Sequence, residues 1–180
     1  MKKRATRGEK IEHEIARENW VNARKLITAE LRKDPDSHWL LTRLSLTYYE
    51  QFKYTKALEL TTRALSLAPS CPLVLWDHAG ALDMLGRTNE ALTIYQRLIK
   101  RGVNRIAYDD CGEGLARARG LIADSLYRLA ICYTTLKKPR EAMSAYKRHL
   151  AMRGPGCHSI YGLKAVRREL NDLTSRRARW

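Results

Sequence analysis

The side chains that could do covalent or metal chemistry are few and far apart. Cysteines stand at 71, 111, 132 and 157, and histidines at 13, 38, 78, 149 and 158. Thiolate and imidazole together can hold zinc or form a nucleophile–base pair. No C-x-x-C pair occurs, and Cys157-His158 taken with Cys111 fits no metal-ligand spacing. There is no G-x-G-x-x-G, no phosphate-cradling loop and no H-E-x-x-H. Cys111-Gly112-Glu113-Gly114 reads as a loop. The sequence therefore predicts no catalytic residue, no metal, no cofactor and no enzyme. Cys132 reads as a small packed hydrophobe. His78 and His149 lie on stripes that pack between helices and read as partly buried, hydrogen-bonded histidines. The opening stretch MKKRATRGEKIEHEIAR has basic residues with no apolar run behind them. A secretory signal is not expected, the thiols read as free, and a soluble cytoplasmic protein without a membrane partner is expected.

Charge says more. The 180 residues carry a net +15, with 22 Arg against 12 Lys. Residues 34–99 hold six basic and seven acidic side chains, whereas residues 137–180 hold twelve and three. The middle is neutral and both ends are basic. Such an excess suits an acidic protein surface or the phosphates of nucleic acid, or serves solubility alone. The phosphate reading would rest on Lys164, Arg167, Arg168, Arg176, Arg177 and Arg179. Aromatic side chains are not interleaved there apart from Tyr161 and Trp180, which argues against reading of bases.

The elements that must position these residues are repeated. Ala23, Ala57 and Ala91 are separated by 34 and 34, as are Pro35 and Pro69. A fixed period of this size signals stacked supersecondary units. Full units fit 38–71, 72–105 and 123–156, with a partial unit at 4–37. Each holds two helical periods: Leu41, Leu44 and Tyr48 form one apolar stripe of the first full unit, and Ala57, Leu60, Ala64 and Leu67 the other. The small alanines let two antiparallel helices approach closely. Proline ends the second helix because it offers no backbone donor. Ala91 to Ala142 is 51 residues, 34 plus an insertion of 17 at 106–122. Residues 102–112 read as a loop, with the next helix starting early, near Glu113. After Gly154-Pro155-Gly156 the stretch 157–180 reads as a capping helix and tail, with Ile160, Leu163, Val166 and Leu170 on one face.

This pattern resembles the tetratricopeptide-repeat family. The residues that carry the resemblance are Leu41, Leu44, Tyr48, Tyr54, Ala57, Ala64 and Pro69 in the first full unit. Leu75, Ala79, Gly86, Ala91 and Tyr95 carry it in the second, and Leu126, Leu129, Ala130, Tyr133, Ala142 and Tyr146 in the third. His78, Leu98 and Val103 depart from the pattern. The resemblance implies an all-α, right-handed solenoid of antiparallel helix pairs, three to four repeats over 1–156, capped by the C-terminal helix. It also implies a concave groove lined by the first helix of each pair. Outward positions there include Trp39, Arg43, Tyr49, Trp76, Asp77, Tyr127 and Arg128. Trp, Tyr and Arg dominate binding hot spots when desolvated together, so the expected activity is that of an adaptor or chaperone-like protein holding a peptide or helical segment of another protein, with acidic segments among the candidates. The alternative expectation is that Trp39 and Trp76 pack against neighbouring repeats or the insertion. The family's carboxylate clamp for acidic C-terminal tails is not expected, because Thr42, Leu46, Trp76 and Gly80 stand where polar clamp residues belong.

Overall fold

The structure is a computed structural model that describes residues 6–177; residues 1–5 and 178–180, Arg179 of the expected basic patch among them, lie outside the described residues. All regular structure among the described residues is helical. Four antiparallel pairs follow one another: α1 (Arg7–Ala16) with α2 (Trp20–Leu31), α3 (His38–Tyr49) with α4 (Tyr54–Leu67), α5 (Pro72–Met84) with α6 (Thr88–Arg101), and α8 (Leu115–Thr135) with α9 (Pro139–Met152). A short α7 (Val103–Ala107) precedes α8, and α10 (Leu163–Arg177) follows α9.

One backbone device makes all four pairs. The first helix of each ends in a residue with positive φ: Glu18 (56°), Phe52 (61°), Gly86 (77°) and Lys137 (56°). The next residue donates its N–H five residues back: Asn19 to Glu14, Lys53 to Tyr48, Arg87 to Leu82 and Lys138 to Tyr133, at 2.8–3.0 Å. This is a Schellman turn, which satisfies carbonyls the helix end would otherwise leave open. Glycine meets the left-handed requirement at Gly86 without strain; the other three side chains accept a cost of about 1 kcal/mol each. The turn positions 18, 52, 86 and 137 reproduce the period of the alanines.

Ala23, Ala57, Ala91 and Ala142 have no exposed surface. They sit where paired helices cross. Around them Ala79, Leu82, Tyr95, Leu129, Tyr146 and Val166 form one core cluster that spans α5, α6, α8, α9 and α10. The helix α10 thus seals the end of the array through Val166 and the half-buried Leu170 and Leu173. Along the array α3 packs on α5 and α5 on α8, while α4 packs on α5 and α6 on α8. The first helices therefore form a continuous inner layer.

Two local expectations change. The stretch 102–112 is not all loop. Val103, Ile106 and Ala107 have i, i+3, i+4 spacing, and burial of Ile106 and Ala107 against Leu75, Leu98, Ala118 and Ile122 stabilises α7. The following helix starts at Leu115, close to Glu113. Ile160 is not on the capping helix, which starts at Leu163, and Ile160 is 75% exposed. Its amide is held elsewhere, by Asp124.

Candidate partner-binding groove

The inner faces of α3, α5 and α8 supply a polar column in one register. Arg43, Asp77 and Arg128 each lie nine residues before the positive-φ turn of their pair. Positive, negative and positive side chains thus alternate along the groove. The arginines are paired within the chain: Arg43 with Glu12 at 3.5 Å, and Arg128 with Asp83 at 2.8 Å, each only 13–14% exposed. Buried charge is tolerated only when paired in this way. Arg43 also lies over the Trp39 ring at 5.9 Å, and Arg128 Nε donates to the Tyr95 hydroxyl at 3.4 Å.

Between the three helices lies a pocket of about 140 Å³ lined by Tyr49, Trp76, Asp77, Gly80, Tyr95 and Arg128, with Ile160 and Tyr161 at its edge. Aromatic rings make the walls: Trp76 meets Tyr95 edge to face at 5.5 Å. Ligand pockets for small molecules span about 300–1,000 Å³, so this volume suits one side chain rather than a cofactor. Its floor is polar. Asp77 Oδ2 is enclosed there without a hydrogen-bond partner, as is Arg43 Nε outside the pocket lining. Burial pushes the Asp77 carboxyl up to about 7; Arg43 opposes the shift and Glu50 adds to it.

Beside the pocket the chain covers its own groove. The segment between α9 and α10 crosses α8 and places the His158 carbonyl directly on Gly120. The Ile160 amide donates to Asp124 Oδ2 at 3.2 Å. Tyr161 stacks on Tyr127, with ring centres 3.9 Å apart and planes 21° apart.

Of the residues named from sequence, Tyr49, Trp76, Asp77 and Arg128 come together at this pocket. Trp39 lies outside its lining and packs with Ile11, Ile27 and Leu40 near α1. Tyr127 is covered by Tyr161. Lys164, Arg167 and Arg168 are exposed on α10, and Arg176 and Arg177 close that helix. Sequence reasoning had Gly80 on the groove face but missed Tyr95, Ile160 and Tyr161 there, because Tyr95 comes from the second helix of its pair and the other two from the segment between α9 and α10. His78 is half-buried with Nδ1 3.1 Å from the Thr61 hydroxyl. His149 is fully buried with Nδ1 2.7 Å from the Ala123 carbonyl. Cys132 lies in the main core. Cys111 lies beside Cys71 and His38.

A family model described as "Tetratricopeptide repeat" matches residues 74–101 and 124–148, within the α5–α6 and α8–α9 pairs. Solved structures with a similar fold include PilF of Pseudomonas aeruginosa, at 20% identity and TM-score 0.72, covering 96% of this chain and 69% of that one. MamA of Desulfovibrio magneticus aligns at 13% identity and TM-score 0.69, over 96% of this chain and 84% of its own. A tetratricopeptide repeat protein from Parabacteroides merdae aligns at 21% identity and TM-score 0.60, over 93% and 59%. At such identities the likeness is one of fold. No curated protein sequence matches the chain significantly. Among the described residues no helix is long and apolar enough to cross a membrane.

Proposed function

We propose that this chain, a tetratricopeptide-repeat protein, is an adaptor or chaperone-like protein that holds a segment of a partner protein across α3, α5 and α8. The observation that carries the reading is the groove's treatment of its own chain. An irregular segment lies on α8 with its amide on Asp124 and its ring on Tyr127. The adjoining pocket offers the same chemistry: an enclosed carboxyl, Asp77, and aromatic walls from Tyr49, Trp76 and Tyr95. A partner would place an apolar or aromatic side chain there and a backbone N–H on Asp77, which removes the cost of a buried unpaired acceptor. Because Arg43 and Arg128 are already paired, preference for acidic flanks comes from the chain-wide positive charge, mainly as steering.

Selection from a random peptide library tests this. Gly80 lines the pocket, and a Cβ there has the Tyr49 side chain as its nearest neighbour, at an ordinary contact distance of 3.6 Å. Gly80→Leu fills the pocket without emptying the core. We expect selected peptides to share an apolar anchor and to lose roughly tenfold or more in affinity for Gly80→Leu, a loss of about 1.4 kcal/mol. Equal affinity for parent and variant would refute the site.

A second reading is supported by the exposed Lys164, Arg167 and Arg168 on one side of α10: association with the phosphates of nucleic acid. Salt separates the two, since phosphate contacts weaken steeply as counterions compete.

A further inference from the structure

We propose that His38, Cys71 and Cys111 form a binding site for one divalent cation of the zinc class. The three side chains come from the first turn of α3, the start of α5 and the loop after α7, and their donor atoms all lie within 4.8 Å of one another. Cys111 Sγ is 3.4 Å from His38 Nε2. Tetrahedral zinc, with bonds of about 2.3 Å to sulfur and about 2.0 Å to nitrogen, puts S and N about 3.5 Å apart. The pair already has that spacing, and the Cys71 sulfur lies within 4.8 Å of both.

The donor set is selective. Two sulfurs and one imidazole suit zinc rather than the oxygen-seeking calcium or magnesium. Two thiolates with a neutral imidazole balance the cation's charge. The binding step is Zn²⁺ plus two thiols and one imidazole giving the bis-thiolate complex and two released protons. Asp109 and Asp110 add negative charge in the same loop. Cys71 is buried, and His38 and Cys111 are half-buried, so the ion would lie at the rim with a fourth position open to water.

The surroundings hold the ligands in place. Arg101 pairs with Asp109, two residues before Cys111, and donates to the carbonyl of Ser70, one residue before Cys71. One guanidinium thus ties together both cysteine-bearing segments. The loop itself is tight: a Cβ at Gly112 would stand 2.7 Å from the Ala107 carbonyl carbon and 2.8 Å from the Asp109 oxygen. Glycine is required there for the turn that points Cys111 inward. His38 and Cys71 stand at opposite ends of the 38–71 unit and Cys111 in the insertion after the next one, so no short spacing in the sequence marks the site.

The test is titration of the reduced, chelator-treated full chain with Co²⁺, followed by Zn²⁺ as competitor. We expect one equivalent to give the visible bands of tetrahedral cobalt and sulfur-to-cobalt charge transfer, both abolished by one equivalent of Zn²⁺. Cys111→Ser, on the half-exposed loop, should weaken binding by roughly a hundredfold and His38→Ala by roughly tenfold or more. Cys132→Ser and Cys157→Ser should bind as the parent does. Zinc should also raise the melting temperature of the parent and not of Cys111→Ser. Weak binding of several equivalents with octahedral spectra would overturn the proposal. So would parent-like bands in Cys111→Ser, or a Cys71–Cys111 disulfide that forms in preference to the complex when metal is present.

Discussion

Gly120→Ala should lift the groove-covering segment off α8 while leaving the helix array folded. A methyl at Gly120 would stand 2.8 Å from the His158 carbonyl carbon and closer still to its oxygen. The contact is backbone, so no side-chain rotation relieves it. Alanine favours the helix by about 1 kcal/mol over glycine, so α8 resists bending and the segment moves instead. What it leaves behind is the Tyr127–Tyr161 stack, worth about 1 kcal/mol, and the Ile160–Asp124 hydrogen bond, worth about 1–2 kcal/mol net. Opening of residues 157–161 should become easier by about 2–3 kcal/mol, which is roughly 30- to 150-fold in the opening equilibrium. Hydrogen exchange at the Ile160 amide reads this number directly. Cleavage by a protease between Gly154 and Gly162 should rise by a similar factor, while the main melting transition stays within a few degrees. Unchanged Ile160 protection together with a large fall in melting temperature would refute the reasoning, because it would mean that α8 yields and the segment does not.

Three further outcomes are expected. Asp77 has a carboxyl raised from 3.8 to about 7 by burial, so the folded chain holds a proton that the unfolded chain has lost. Stability is greatest below pH 3.8 on this account and falls by up to about 4 kcal/mol as pH rises to 7; denaturant titrations of parent and Asp77→Asn should diverge over that window, Asn being the more stable at pH 8. His149 works in the opposite sense: burial lowers its pKa from 6.5, with Arg153 adding to the effect and the Ala123 carbonyl opposing it. Its contribution is complete above pH 6.5 and is lost as pH falls below that value, and His149→Gln should flatten the acid limb of the stability profile. Replacing Lys164, Arg167 and Arg168 by Glu should abolish any nucleic-acid retention on a heparin or DNA column and leave peptide affinity within about twofold; loss of peptide binding would place the partner on α10.

The repeat was legible because its cause is steric and periodic. Only small residues fit where paired helices cross, so Ala23, Ala57 and Ala91 mark the period in the sequence, and Ala142 marks its resumption. The turns were partly hidden, since Gly86 announces a left-handed residue but Glu18, Phe52 and Lys137 do not. The short helix α7 was obscured by Gly102 and the Asp109-Asp110 pair, although Val103, Ile106 and Ala107 had the spacing of one helical face. Face positions such as Trp76, Asp77 and Arg128 followed from the same periodicity. Their pairing did not: whether Arg128 meets a partner or Asp83 depends on side chains brought together from different units, 45 residues apart. The Cys71, Cys111 and His38 cluster was invisible because no short spacing marks it, and the placement of Ile160 on Asp124 depends on a crossing that no local pattern records.

The central claim is that the pocket between Tyr49, Trp76 and Gly80 receives an apolar anchor of a partner segment. Amide chemical-shift mapping with a library-selected peptide tests it most directly. The account predicts the largest perturbations at Tyr49, Trp76, Gly80 and Arg128, extending to Ile160, and their loss in Gly80→Leu. Perturbations confined to α10 or to the outer helices α4, α6 and α9, with this pocket silent, would contradict it.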